Sequence, residues 1–228
     1  MLIISLDTSG RNGSAVLCRG DANSFETLQL TTLEGGTYSA RLVPTIDDIL
    51  QHNRLSLTDI DGFAVVSGPG SFTGLRVGLA TVKGLCEVVH KPLAIVSMLE
   101  AITIAHASDG QTVTAILDAG RGEVYIGESA GSTSPKREYI AKLTSFAEET
   151  HEAGELLTPD KAVADFLGLR NVAVRLVAPV QADGIGRIGL RKLLAGEVAD
   201  HATVDVNYIR RSDAEIFSAP KRKPRQSQ

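Results

Sequence analysis

The sequence predicts an α/β protein built from two similar halves. Short apolar runs with the length of buried strands alternate with segments in which apolar residues recur at helical spacing. In addition, a strand, an acidic turn and a returning strand occur twice, once around Asp7 and once around Asp118. Such a repeat indicates a duplicated α/β unit, and we place the boundary between the halves near residues 108–112.

The first half contains the clearer pattern. An Asn12-Gly13 pair separates two apolar runs, which is a hairpin signal. Pro44 either opens or kinks the first predicted helix, and Ser71 caps the second. The predicted strands cover residues 2–6, 14–18, 27–30, 62–67 and 93–96, and the predicted helices cover residues 38–52, 72–89 and 98–107.

The second half repeats this order less distinctly. Its predicted strands cover residues 113–117, 124–127, 156–158 and 172–177, and its predicted helices cover residues 142–150, 159–167 and 185–194. We therefore expect an N-terminal lobe over residues 1–108, a C-terminal lobe over residues 109–217 and a disordered basic tail over residues 218–228. The tail has no apolar period and carries Lys221, Arg222, Lys223 and Arg225.

Composition limits the functional classes. The net charge of −4 provides no general basic surface for nucleic acid. Two cysteines cannot form a disulfide framework or a four-thiolate zinc site. No apolar run approaches the roughly 20 residues of a membrane span, and the first residues lack the basic region of a signal peptide. These features predict a cytoplasmic protein with no membrane contact.

No catalytic or metal-binding constellation is visible. No two histidines lie three to five residues apart, so no helical histidine pair can hold a metal ion. A G-x-S-x-G elbow is absent. Cys86 lies in an apolar helix and is interpreted as a buried, inert thiol rather than a nucleophile. We therefore assign no catalytic residue and no metal site.

The most informative stretch joins a strand to a helix and reads S-G-P-G-S-F-T-G-L-R over residues 67–76. Glycines permit a tight turn, and a helix N-terminus offers free N–H groups to an anion. Leu75 and Arg76 stand where a P-loop needs Lys and Ser or Thr. A phosphate cradle and a merely structural turn capped by Ser71 are both consistent with this stretch.

Two acidic turns allow the same pair of interpretations. Asp7, Thr8 and Ser9 end the first strand, where sugar kinases, heat-shock proteins and actins place an acidic residue beside phosphates. They can equally satisfy the N–H groups of their own turn. Asp118 is either the matching phosphate residue of the second half or part of a charged hairpin. The possible vestigial phosphate-binding residues are Asp7, Thr8, Ser9, Gly68, Gly70, Ser71, Thr73 and Asp118.

The helix predicted over residues 72–89 is apolar around much of its circumference. A helix that packs only on its own sheet keeps a polar face, so a second helix of this chain or another subunit is expected to cover it. The first predicted helix adds further apolar positions. The predicted partner interface consists of Leu42, Ile46, Ile49, Leu50, Phe72, Leu75, Leu79 and Val82.

The ordered motifs resemble the TsaB family, also called YeaZ. The resemblance rests on L-D-T-S at residues 6–9, the glycine block 68–78, S-M-L-E-A at 97–101 and D-A with R-G-E-V-Y at 118–125. The segment N-Y-I-R-R at 207–211 resembles the C-terminal element of that family. Tyr38, Gly120 and Val206 stand where many relatives have His, Arg and Pro.

This resemblance implies an actin-like, two-lobed fold of the sugar kinase, heat-shock and actin superfamily. It implies a non-catalytic subunit that supports the catalytic paralogue TsaD in making threonylcarbamoyladenosine in tRNA. TsaD holds its metal with a His-x-x-x-His pair that this chain lacks. The implied partners are TsaD, the ATPase TsaE in a larger complex, a homodimer when the chain is alone, and tRNA only through the complex.

No cofactor is expected, and ATP used by the complex is not expected to be turned over by this chain. A small nucleotide-dependent kinase or hydrolase of the same superfamily, acting alone, is the alternative. It predicts ATP turnover by the isolated chain.

Overall fold

The computed structural model describes residues 1–108, 110–130, 135–149, 154–207 and 209. Ten strands in this part of the chain form two five-stranded sheets. The strands of the first sheet are β1 (Leu2–Asp7), β2 (Asn12–Gly20), β3 (Phe25–Glu34), β4 (Gly62–Gly68) and β5 (Leu93–Ser97). Those of the second sheet are β6 (Thr112–Gly120), β7 (Glu123–Ala130), β8 (Arg137–Lys142), β9 (Glu155–Thr158) and β10 (Arg175–Leu176).

The two sheets have the same topology. The spatial order is β3-β2-β1-β4-β5 in the first sheet and β8-β7-β6-β9-β10 in the second. In each sheet the first three strands are antiparallel, and the fourth and fifth run parallel to the first. The prediction of a duplicated α/β unit is therefore confirmed.

Six α-helices among the described residues connect and cover the sheets. They are α1 (Tyr38–His52), α2 (Phe72–Val89), α3 (Met98–His106), α4 (Leu143–Glu148), α5 (Lys161–Gly168) and α6 (Ala182–Leu194). Side chains alternate between the two faces of a strand. Ile4 and Leu6 of β1 therefore pack on one face, in the core cluster that contains residues of α1 and α2. Ile3 packs on the opposite face, in a cluster with residues of α6.

The third helix of each half packs on the sheet of the other half. α6 follows β10 but contacts β1, β2, β4 and β5, while α3 follows β5 and contacts β6, β7 and β9. α3 and α6 also contact each other. The strands before residue 109 form one sheet and those after it form the other. Residues 182–194, however, pack on the N-terminal sheet.

Three strands differ from prediction. β3 is longer than the predicted residues 27–30. β8 was not predicted, because the apolar run between Arg137 and Lys142 is short and only half-buried. Pairing with β7 makes this run a strand. β10 includes only Arg175 and Leu176, since Val172 and Val174 pack against the cluster beside α5 instead of extending the ladder.

No helix among the described residues is long and apolar enough to cross a membrane. The predicted basic tail, residues 218–228, lies outside the described residues.

Candidate functional site

The glycine-rich block forms the turn between β4 and α2. The Ser71 hydroxyl caps α2 by accepting a hydrogen bond from the Gly74 N–H at 3.3 Å. Gly68 has a φ angle of +135°, which only glycine adopts readily. The predicted strand, capped turn and helix are therefore present in this order.

The block packs directly on the turn that follows β1. A Cβ atom added to Gly70 would lie 2.7 Å from the Ser9 Cβ, and one added to Gly74 would lie 2.0 Å from the Thr8 carbonyl oxygen. At Gly78 an added Cβ would lie 2.2 Å from the Thr8 hydroxyl. These glycines thus allow α2 to rest on the first turn, and any side chain there would force the two apart.

Hydrogen bonds within the chain use three donors of the predicted phosphate turns. Both the N–H and the hydroxyl of Ser9 donate to the Asp7 Oδ1, at 2.8 and 2.6 Å. The Ser71 N–H donates to the Ser9 carbonyl oxygen at 2.6 Å. The two predicted phosphate turns are therefore bonded to each other.

Asp7 and Thr8 are buried beneath this contact. Burial raises the pKa of Asp7, and the hydrogen bonds from Ser9 oppose that rise. The Thr8 hydroxyl has no hydrogen-bond partner among the described residues. Both side chains face the interior of the half rather than a surface that a ligand can reach.

Asp118 lies at the exposed end of β6 in the second half. Its carboxylate accepts the Gly120 N–H at 2.8 Å, and its own N–H donates to the Asp160 carboxylate at 2.7 Å. Gly120, Arg121 and Gly122 all have positive φ angles in the hairpin tip. This arrangement corresponds to the charged-hairpin alternative.

An open cleft of about 640 Å³ lies beside the first turn. It is bounded by the turn after β1, the turn before α1 and the first residues of α2. Its lining residues are Ser9, Gly10, Arg11, Gly35, Gly36, Tyr38, Ser39, Ser71, Thr73, Gly74 and Val77.

Only Ser9, Ser71 and Thr73 of the predicted phosphate residues line this cleft. The Tyr38 hydroxyl donates to the Gly10 carbonyl oxygen at 2.8 Å and fixes one wall. Burial, and secondarily the charge of Asp7, raise the pKa of Tyr38. Gly35 and Gly36 were not among the predicted site residues, because no local pattern indicates that their turn faces the start of α2.

The predicted partner interface is wrong for seven of its eight residues. Their side chains lie in the core of the chain and cannot reach another molecule, because the strongest apolar stripes of α1 and α2 pack on the first sheet and on each other. The buried residues are Leu42, Ile46, Ile49, Leu50, Leu75, Leu79 and Val82. Phe72, 41% exposed, is the exception.

The outward sides of α1 and α2 carry a different apolar set. Val43 is 56% exposed and Val88 72% exposed. A Cβ added to Gly84 would meet no atom within 4 Å, so the middle of α2 has a bare backbone facing solvent. We define the outer α1/α2 face by its exposed residues Ala40, Val43, Phe72, Ala80, Gly84 and Val88.

Among the described residues, no three histidine, cysteine or acidic side chains are grouped so that they could hold a metal ion. Both cysteines are buried, and burial raises the pKa of the Cys18 and Cys86 thiols, to about 12 and about 11. Neither has the low pKa that a nucleophilic thiolate requires.

Two duplicated halves with exchanged third helices define an actin-like α/β protein. YeaZ from Pseudomonas aeruginosa has this fold: its structure superposes with a TM-score of 0.70, covering 91% of this chain and 100% of that one at 22% identity.

The chain belongs to the family whose model is described as TsaD, tRNA N6-adenosine threonylcarbamoyltransferase, which matches residues 35–163. Similar relatives include the tRNA threonylcarbamoyladenosine biosynthesis protein TsaB of Haemophilus influenzae, 35% identical over 56% of this chain and 53% of that protein. TsaB of Escherichia coli is 37% identical over 56% of this chain and 54% of its own length. The chain thus spans about half the length of the curated relatives it matches, and the resemblance to TsaB is confirmed.

Proposed function

We propose that this chain is the non-catalytic partner subunit of a complex that makes threonylcarbamoyladenosine in tRNA. In this role it binds the catalytic paralogue TsaD and supports the reaction without contributing reacting groups. The proposal combines the family and its TsaB relatives with the geometry of the outer α1/α2 face and of the predicted phosphate turns.

The observation that carries the proposal is the outer α1/α2 face. Val43 and Val88 are more than half exposed, and Gly84 leaves the backbone of α2 open to close approach. Small residues at a helix surface let a second helix approach closely, and valines beside them provide apolar area to bury. This surface suits another pair of helices.

A chain with the same fold is a natural occupant of that face. The family model covers both α1 and α2, and a tRNA N6-adenosine threonylcarbamoyltransferase from Sphingopyxis alaskensis is 40% identical over 60 residues, 26% of this chain and 17% of that protein. Two related chains can pair corresponding helices in a pseudo-symmetric bundle, as homodimers do with identical patches. The same face would serve a homodimer when TsaD is absent. TsaE would join the larger complex.

The internal bonding of the predicted phosphate turns supports a non-catalytic role. The Ser9 and Ser71 N–H groups are used within the chain, and Asp7 is buried. We therefore propose that the chain needs no cofactor and turns over no ATP. tRNA would be reached only through the assembled complex.

The test is affinity purification of the tagged protein from its own cells, followed by identification of the proteins that co-elute. TsaD is expected in near-equal amount with the wild type and with Leu169→Glu, which places a carboxylate on an 84% exposed leucine of the second half. It is expected to be lost from Val88→Glu. Equal recovery of TsaD with both variants, or its absence from the wild type, would contradict the proposal.

A second candidate is a nucleotide-dependent kinase or hydrolase that acts alone. The open cleft beside the first turn favours it, because Arg11 and the hydroxyls of Ser39 and Thr73 line a space of about 640 Å³. ATP hydrolysis by the isolated chain, lost when Arg11 of the cleft is replaced in Arg11→Ala, would favour this candidate over a partner subunit.

A further inference from the structure

The segment after α6 runs along the first sheet and ends against the second half. The Ala199 N–H donates to the Leu93 carbonyl oxygen at 2.8 Å, forming an isolated bridge to β5. β5 is an edge strand of the first sheet, so the segment pairs with that edge at Leu93. We call residues 199–207 the interhalf latch.

The latch is fixed to α2 in its middle. The Lys83 ammonium donates to the Val204 carbonyl oxygen at 2.8 Å, and His201 lies 2.9 Å from the Glu87 carboxylate. Val206 is 5% exposed and belongs to the main core cluster. The path of the latch over the first half is thus defined by backbone, polar and apolar contacts together.

Asn207 joins the two halves. Its N–H donates to the Ser67 carbonyl oxygen at 2.9 Å, and its own carbonyl oxygen would lie 2.9 Å from a Cβ atom at Gly68. Its side-chain amide donates to Oε2 of Glu138, on β8, at 2.8 Å. One residue therefore holds the glycine turn of the first half and the third strand of the second.

Glu138 is itself fixed in position. Its other oxygen, Oε1, accepts the hydroxyl of Ser97, the residue that caps α3. Nearby, the Lys192 ammonium pairs with Glu100 at 2.7 Å and also donates to the Ile95 carbonyl oxygen. Asn207 thus binds an acceptor that is held by polar contacts rather than a freely rotating surface carboxylate.

We propose that residues 199–207 are a latch that holds the two halves of this chain in one relative arrangement, with Asn207–Glu138 as its closing contact. Opening that contact frees the second sheet to move against the glycine turn, while α3 and α6 keep the halves joined. The latch is a property of the isolated chain, so its test needs no partner.

The test is the distribution of distances between spin labels on Asp48→Cys and Ala162→Cys, one exposed site in each half, with the labelled chain diluted in excess unlabelled chain so that only distances within one chain are measured. The two native cysteines are buried and are not expected to react. The wild-type latch should give one narrow distribution. Asn207→Ala should broaden it about twofold and speed amide exchange at residues 137–142 about five- to tenfold, the range expected for losing one exposed hydrogen bond.

Asn53→Ala is the matched control, because the Asn53 amide donates to Gln29 and Ile49 within the first half. It should leave the distance distribution unchanged. Asn207→Asp places a carboxylate against Glu138 and should broaden the distribution more than Asn207→Ala. Distributions for both Asn207 variants that match those of the wild type or of Asn53→Ala would overturn the proposal.

Discussion

The exposed position of Gly84 on α2 leads to a specific prediction about partner binding. Gly84→Arg should raise the unfolding free energy of the monomer and weaken its association with TsaD. An added side chain at this position meets no atom within 4 Å, so the monomer accommodates it. A helix-interior glycine costs roughly 0.5–1 kcal/mol relative to a good helix former.

The substitution is expected to stabilise the fold and weaken TsaD binding, so a loss of binding cannot be explained by unfolding. A gain of about 0.5–1 kcal/mol in unfolding free energy should raise the Tm by roughly 1–4 °C in a chain of this size. At a helix interface, a buried arginine without a partner should weaken association at least tenfold, or about 1.4 kcal/mol. Scanning calorimetry measures the first effect, and titration of TsaD with the purified chain measures the second.

Gly168→Arg is the matched control, since Gly168 also lies in a helix, α5, with no atom within 4 Å of an added Cβ. It should leave TsaD binding unchanged. If Gly84→Arg bound TsaD as tightly as the wild type, the outer α1/α2 face would not be the contact surface.

Three further predictions concern the core, the latch and the tail. Ile49→Asp should unfold the chain rather than selectively block association, because Ile49 is fully buried; circular dichroism checks this. Burial raises the pKa of Glu138 above its ordinary 4.5, so Glu138 contributes stability below that value and loses it as pH rises through the folded pKa. Urea unfolding across pH should show a larger fall in the wild type than in Glu138→Gln, because Asp7, whose pKa burial also raises, contributes the same trend to both. Deleting residues 218–228 should weaken tRNA binding by the complex and flatten its salt dependence, as measured by salt titration; curves that superimpose would leave the tail without a role in recognition.

Local signals in the sequence predicted the fold well. The Ser71 cap, the following apolar period and the end near Val89 correctly bounded α2, because capping and periodicity are properties of a few neighbouring residues. The repeated strand, acidic turn and strand correctly indicated duplication. β8 was missed because its pairing with β7, rather than its own pattern, makes it a strand.

The surface residues could not be chosen in the same way. The sequence showed that α2 is apolar on more than one side, but not which side packs on the sheet. The stronger stripe, including Leu75 and Leu79, became core, and the weaker one, including Gly84 and Val88, faces solvent. The bonding of Ser9 to Ser71 likewise joins residues about sixty positions apart, which no local pattern encodes.

The most direct test of the partner-subunit proposal is reconstituted threonylcarbamoyl transfer to tRNA from purified components, with and without this chain. Transfer should require TsaD, increase strongly when the wild-type chain is added, and remain at the TsaD-only level when Val88→Glu replaces it. Transfer by this chain in the absence of TsaD, or TsaD activity that is unaffected by adding the wild-type chain, would contradict a non-catalytic partner role.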